Sequence, residues 1–484
     1  MTIVKSADLP FVNDEHAIPT ISLDETNKSN TFTVFVGKNG TRKSFLLRNI
    51  LNDSLRAISL AATNDIKALG KHIAGTTFYK IPSKVIAISA APTDRFPSKP
   101  AASDRLRISK YDVSYYSYIG PRTAGNILSR NQSVDELVRV ILGTPGAVKE
   151  RKDFLCEITN QLRIDSSFQF GLDLSVSARD ATVVEYLMRK MREADNRKSG
   201  KYDAFEKYIK FANSVRGRNY IGEIEGGLRK YDVENVGVAK GVIRRKSAAG
   251  DFPFVVYVDC KKGGIDTNGI TLPALEWAVR VGFLRPGNFT FRSDSGTHLN
   301  QDDLSSGQWS LFSTMVTLSL AVTNQTLVLI DEPETGLHPA WQRTFLGAIK
   351  QAIAHVEGCH VLLATHSPLV LSSLDPHASH LIVLNREIGS DEVRARQESI
   401  PFGWDASLIL QDTFDLDDAR APELTDLVDE ALLIIAGGKK SSLPTLRRLV
   451  KQMQPYYNSL PEADLGKGVI RSIMKVAGDG VKSR

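Results

Sequence analysis

Gly37-Lys38-Asn39-Gly40-Thr41-Arg42-Lys43-Ser44 has the residue types and spacing needed to hold a phosphate chain. The loop follows an apolar run, Thr31–Val36, and precedes a helical pattern, the context in which a glycine-rich loop becomes a phosphate cradle. Backbone N–H groups of residues 38–44 would face phosphate oxygens, aided by the positive end of the following helix. Lys43 is placed to reach the β- and γ-phosphates, and the Ser44 hydroxyl to ligate Mg²⁺. Arg42 stands where the pattern has glycine. A side chain there crowds the phosphates if the backbone needs positive φ, or adds a cation if it points outward.

Two further segments carry acidic and imidazole groups. Leu327–Ile330 delivers Asp331 and Glu332 to the end of a buried strand, where ligands bind in open α/β sheets. In that position Asp331 is a metal ligand and Glu332 a general base for an attacking water. His360–Ala364 similarly delivers Thr365-His366-Ser367, and His366 is a catalytic candidate for contacting a γ-phosphate or the water. His338, in Glu334-Thr-Gly-Leu-His-Pro339, either caps the following helix or lies at a dimer seam.

The elements that position these groups follow from periodicity. Strands are expected at 20–23, 31–36, 84–89, 252–260, 288–292, 326–330, 360–364 and 381–384. Helices are expected from 44 to about 62, at 272–284, from 305 to about 324, and at 339–357. Residues 123–235 read as mostly helical and charged, and the chain beyond about 400 as helical. The expectation is an α/β head in two parts, 1–115 and 296–400. A mainly helical insertion, 116–295, separates them, and a helical region, 401–484, follows.

Leu304-Ser305-Ser306-Gly307-Gln308 ends about 23 residues before Asp331. With the phosphate loop and acidic strand end, it resembles the signature of ABC-type P-loop ATPases, Ser306 replacing the first glycine of that pattern. The resemblance implies ATP and Mg²⁺ as ligands. It also implies a homodimer or higher homo-oligomer in which Ser305, Ser306, Gly307 and Gln308 complete the partner's site. Asp331-Glu-Pro-Glu-Thr-Gly-Leu-His-Pro339 with Trp341-Gln342 is similar to the OLD-like branch. The glutamine loop of transporter ATPases is not found; Asp94 and Thr93 are the candidates for its position. Length and layout resemble the PtuA-like ATPases of bacterial anti-phage systems such as Septu, which work beside a separate nuclease or toxin effector. The alternatives are a RecF- or SMC-like DNA-repair clamp, and a scaffold with little hydrolysis.

With 484 residues, 42% hydrophobic and 24% charged, the composition is that of a globular protein. No run approaches the roughly 20 apolar residues of a membrane helix, and no secretory signal is visible, so a cytoplasmic location is expected. Cys156, Cys260 and Cys359 are too few and too far apart to suggest a disulfide framework or zinc site. Net charge is +6, which permits nucleic-acid contact. The candidate patches, all in the insertion, are Arg189-Lys190 with Arg192, Arg197-Lys198, Lys201, Arg216 with Arg218, Arg229-Lys230 and Arg244–Lys246. Asp412, Asp415, Asp417 and Asp418 read as a solvated helix start rather than a metal cluster. Segments 424–435 and 446–453 are amphipathic and either dock a partner or close a core of their own.

Overall fold

A computed structural model describes residues 2–9, 20–23, 30–62, 72–73, 75–91, 94–98, 111, 113–122, 131–196, 202–235, 252–386, 393–414, 420–437, 443–462 and 464–478. The chain forms two compact units, Met1–Gly403 and Trp404–Arg484. In chain order the first unit begins with β1 (Val4–Asp8), β2 (Thr20–Ser22), β3 (Thr31–Val36), α1 (Lys43–Ala62), β4 (His72–Ile73), β5 (Thr76–Phe78), β6 (Lys84–Ser89) and β7 (Tyr116–Ile119). There follow α2 (Asn131–Gly143), α3 (Pro145–Glu150), α4 (Lys152–Gln161), β8 (Ile164–Leu174), α5 (Val183–Asn196), α6 (Tyr202–Ala212) and α7 (Val215–Asn235). Next come β9 (Phe254–Asp259), β10 (Gly264–Asp266), α8 (Leu272–Arg280), β11 (Leu284–Ser293), β12 (His298–Asn300) and α9 (Ser306–Ala321). The head closes with β13 (Thr326–Asp331), α10 (Pro339–Ala352), β14 (His360–Ala364), α11 (Pro368–Leu371), β15 (Ser379–Arg386) and β16 (Val393–Glu398).

A seven-stranded sheet of order β16-β15-β3-β14-β13-β6-β7 organises the head; all its pairings are parallel except β15–β16. Every residue of β3, β13 and β14 is buried, because a parallel sheet covered on both faces requires apolar runs rather than alternation. The register aligns Phe35, Ala364, Asp331 and Ser89 in one row across four strands. Residues that follow those four therefore emerge together at one sheet edge, although they lie far apart in sequence.

The insertion contains more helix than strand, but its helices pack on a five-stranded antiparallel sheet of order β10-β9-β8-β11-β12. β8 corrects the expectation of helix across 123–235. Its buried positions Ile164, Ser166, Phe168, Phe170, Leu172 and Leu174 repeat every second residue, a strand signal hidden between charged helical stretches. β7 also corrects the expected limit of the head at 115, since it pairs with β6 in the head sheet. Tyr116 and Tyr118 on β7 are buried and pack in the core.

β1 and β16 were not anticipated. β1 joins a small antiparallel sheet with β2, β5 and β4, and its Val4 amide is tied to the first residue of β14. That residue, His360, is fully buried: Val4 N–H donates to Nδ1 at 3.3 Å, and the ring Nε2 lies 2.9 Å from Thr33 Oγ1. Accepting at Nδ1 places the proton on Nε2, which donates to the threonine. Burial and the neighbouring His380 push the His360 pKa down to about 3. A histidine depressed when folded contributes stability that is present above pH 6.5 and is lost as pH falls below it. By pH 5 the cost is about 2 kcal/mol. The wild-type thermal midpoint is therefore expected to fall more between pH 7 and pH 5 than that of His360→Asn. Parallel falls in the two proteins would refute the assignment.

The second unit consists of α12 (Ala406–Phe414), α13 (Pro422–Ala436), α14 (Leu443–Ser459) and α15 (Leu465–Val476). Leu424, Leu446, Leu449, Met453 and Ile473 form its core, so segments 424–435 and 446–453 bury their apolar faces within their own unit. Asp412 lies on α12, and Asp415, Asp417 and Asp418 are outside the described residues. Among the described residues no helix is long and apolar enough to cross a membrane.

Candidate nucleotide-binding site

The phosphate loop lies between β3 and α1. Gly37 is indispensable to its path: a Cβ there would stand 2.2 Å from Leu384 O and 2.9 Å from Thr41 Oγ1. Arg42 has a φ of +64°, the left-handed conformation that the usual glycine would adopt without strain. The loop thus keeps its backbone course despite the substitution, at a cost of about 1–2 kcal/mol. Lys38, Asn39 and Gly40 are exposed, Thr41 is buried, and the Thr41 hydroxyl donates to Lys38 O at 2.9 Å.

Lys43 is buried, and its Nζ donates to Gly37 O at 2.8 Å, folding the side chain back over its own loop. Burial lowers its pKa to about 8, opposed by the negative charges of Glu332, Asp331 and Glu334. A cation held this way is poorly hydrated and lacks a strong anionic hydrogen-bond partner, which suits it to meet phosphate. The Ser44 hydroxyl donates to Asp331 Oδ1 at 3.1 Å, joining two expected metal ligands across 287 residues. Burial raises the Asp331 pKa to about 7; the Ser44 hydrogen bond and Lys43 oppose the shift, and Glu332 and Asp94 add to it. A desolvated carboxylate beside a hydroxyl fits a hard divalent cation, which takes oxygen ligands and relieves such charge. Ser44 and Asp331 would hold Mg²⁺, which when bound neutralises charge on phosphate oxygens.

Glu332 is half-buried with a φ of +48°, a strained conformation for a bulky residue. Its N–H donates to Ala364 O at 2.9 Å, prolonging the pairing of β13 and β14 by one residue and fixing the turn. Strain of this kind collects at functional positions. His366 is half-buried one residue beyond Thr365, and burial together with Lys43 lowers its pKa to about 4. The ring is neutral at pH 7 and can act as a hydrogen-bonding group.

Sequence reasoning assigned no role to Glu334. Its Oε1 accepts from His366 N at 2.6 Å and its Oε2 from Thr365 Oγ1 at 2.9 Å, so it holds the segment carrying the histidine. Burial raises its pKa. Gln342 adds a second brace, accepting from Ser367 Oγ at 2.7 Å and donating to Leu337 O at 3.0 Å. A carboxylate two residues after the acidic pair was the available signal for Glu334. His338 caps α10, its Nδ1 accepting from Ala340 N–H at 3.2 Å. Asp94 is buried and engaged by Tyr118 OH at 2.6 Å, Phe96 N–H at 3.0 Å and the Arg122 guanidinium at 3.6 Å, which makes it a clamp between strands. Thr93 lies outside the described residues.

The signature opens α9. Ser305 is its N-cap, and Ser305 and Gln308 form a reciprocal capping box at 3.2 and 2.9 Å. Ser305 and Ser306 are exposed, Gln308 is half-buried, and Gly307 is buried against the turn after β13. A Cβ at Gly307 would stand 2.5 Å from Gly336 O, so only glycine allows this approach. From Leu311 to Ala321 α9 is buried all round. Phe312 packs edge-on against Phe168 of β8 and Phe291 of β11 at 5.2 and 5.1 Å, and Trp309 Nε1 donates to Ser133 Oγ of α2 at 3.1 Å. The insertion is thereby joined directly to the signature helix.

The parallel sheet, the glycine loop and the Ser44–Asp331 pair define an α/β P-loop head. The chain belongs to the family described as "AAA domain, putative AbiEii toxin, Type IV TA system", whose model matches residues 32–372. It is similar to the Septu protein PtuA of Bacillus thuringiensis, 28% identical over 107 residues, 22% of this chain and 26% of that protein. It is also similar to the Retron Vc95 probable ATPase of Vibrio cholerae serotype O1 biovar El Tor. There the identity is 26% over 164 residues, 31% of each chain. These matches span about a quarter to a third of the length of the two relatives. A solved Smc head domain with an extended coiled coil, bound to the C-terminal domain of ScpA and derived from Pyrococcus furiosus, aligns at 10% identity. Its TM-score is 0.29, with 82% of this chain and 97% of that one covered.

Proposed function

We propose that the chain binds and hydrolyses ATP with Mg²⁺ and that two or more copies close on the nucleotide. In this reading it is a cytoplasmic, nucleotide-gated regulator in bacterial anti-phage defence that controls a separate nuclease or toxin effector. The observation that carries the ATP-dependent closure is the division of the site. The phosphate loop, the Ser44–Asp331 pair and Glu332 lie at one sheet edge, while Ser305 and Ser306 stand exposed at the start of α9. An exposed, rigidly capped signature suits a phosphate held by another copy. Similarity to the Septu and retron proteins supports the defence role. Glu332 would take a proton from the attacking water, Lys43 would meet the β- and γ-phosphates, and His366 would hydrogen-bond the γ-phosphate or the water. The aromatic contacts between insertion and α9 offer a route by which a trigger at the insertion could bias closure.

Light scattering of the full chain tests this proposal. Mass is expected to rise on addition of ATP–Mg²⁺, and Ser305→Arg should bind ATP yet stay at its nucleotide-free mass. Normal ATP-driven growth of Ser305→Arg would remove the signature from the site. A rise in hydrolysis with DNA, in the absence of any effector, would favour the DNA-clamp alternative.

A further inference from the structure

The insertion carries a feature that ATP chemistry does not use. Between α6, α7 and α8 lies a cleft of about 360 Å³ lined by Tyr208, Phe211, Tyr220 and Trp277, with Arg216 and Arg280 among its other walls. That volume is in the range of small-ligand pockets, roughly 300–1,000 Å³. Trp277 is buried and forms the floor, whereas Tyr208, Phe211 and Tyr220 are half-buried and keep part of their surface open. Phe211 lies 5.5 Å from Trp277 and 5.8 Å from Tyr220, ring centre to ring centre. Phe211 thus packs on both neighbours at ordinary aromatic distances, while the cleft beside the three rings stays open.

The rim carries two arginines and one carboxylate, Glu276. Arg216 is exposed and held in place, its guanidinium 5.6 Å from the centre of the Tyr220 ring and its Nε donating to Tyr220 OH at 2.9 Å. Arg280 is also exposed; its Nε and Nη2 donate to one oxygen of half-buried Glu276, one turn earlier on α8, at 2.8 and 2.5 Å. Among the side chains described on these helices, the other carboxylates are engaged elsewhere, Glu225 by Val183 N–H at 3.4 Å. Glu223 accepts from Thr271 N–H and Oγ1 at 2.8 and 2.7 Å, and Glu206 pairs with Lys210 at 2.9 Å. By contrast, part of the basic surface of α5 is spent within the fold: Lys190 pairs with Glu193 at 2.9 Å, and Arg189 donates to Ser177 O at 3.3 Å. Arg197-Lys198, Lys201 and Arg244–Lys246 lie outside the described residues.

We infer that the α6–α7–α8 cleft is a stacking site for a base of single-stranded nucleic acid, with Arg216 and Arg280 meeting the flanking phosphates. Every base has a flat face for Tyr220 or Phe211, so recognition tolerates sequence. The arginines add a salt-dependent backbone term. A proline-rich peptide could also use aromatic walls, but it would not call for two cations at the rim.

The test uses the full chain, without nucleotide, and a fluorescein-labelled oligothymidine of 12 residues read by anisotropy. Failure here would leave the ATP proposal standing, and failure of ATP-driven closure would leave this one standing. Tyr220→Ala is expected to weaken binding by about tenfold or more, the scale of one base–aromatic stack, and Tyr220→Phe to retain most of it. Arg216→Ala, an exposed change that does not threaten folding, should weaken binding and flatten the log–log salt dependence by about 0.7. Lack of oligothymidine binding by the wild type, or wild-type affinity in both Tyr220→Ala and Arg216→Ala, overturns the assignment. Binding of a proline-rich peptide in place of oligothymidine would also overturn it, in favour of a protein partner.

Discussion

Glu332→Gln is expected to lower ATP hydrolysis by about 10²–10⁴-fold while leaving an ATP-bound assembly that persists. Glutamine keeps the shape of the side chain and can hold a water, but it cannot accept its proton. The backbone at this position is fixed independently of the side chain, by the N–H bond to Ala364 O, so the variant should retain its strained turn. A second consequence is electrostatic. The Glu332 charge is one of the causes that raise the Asp331 pKa to about 7, so near neutrality a substantial share of Asp331 is protonated before a metal arrives. Removing that charge lets Asp331 ionise more readily, and Mg²⁺-dependent ATP binding near pH 7 should strengthen. Phosphate release and light scattering, measured in parallel, check both effects. Turnover within a few fold of wild type would exclude Glu332 as the base.

Lys43→Ala should weaken ATP binding by about 100-fold or more, since a charge-assisted hydrogen bond to phosphate contributes roughly 1.5–3 kcal/mol and repulsion adds to its loss. That repulsion can be read from the surroundings. Asp331, Glu332 and Glu334 all act on Lys43, and without its ammonium an incoming polyphosphate meets those three carboxylates unopposed by the Lys43 charge. The fold should tolerate the change, because among the described residues the Lys43 ammonium bonds within its own loop, to Gly37 O, Lys38 O and Thr41 Oγ1. Titration with a fluorescent ATP analogue measures the loss, and unchanged affinity would remove the phosphate-loop assignment altogether.

Local chemistry made much of the head legible. β3, β13 and β14 were readable because strands buried on both faces must be apolar throughout, and α1 and α10 because an amphipathic helix repeats near 3.6 residues. β8 was obscured because its alternation lies between charged helices and includes a polar residue, Ser166, among its buried positions. β1 and β16 were missed because exposed positions interrupt their apolar pattern. The exchange of glycine for Arg42 was visible, but only the +64° φ establishes that the loop keeps its course at the expense of strain.

What the sequence determined by itself is the set of chemical groups and the kind of element that carries each one. These depend on neighbours a few residues away. What only the tertiary structure decided is which of those groups meet. The strand order β3-β14-β13-β6 and its register bring Ser44 within 3.1 Å of Asp331, give Glu334 the task of holding His366, and turn Asp94 into a clamp on Tyr118. The same level of organisation opens an aromatic cleft between α6, α7 and α8. Sheet order and helix packing are set by how distant apolar faces fit together, and no local repeat in the chain encodes that fit.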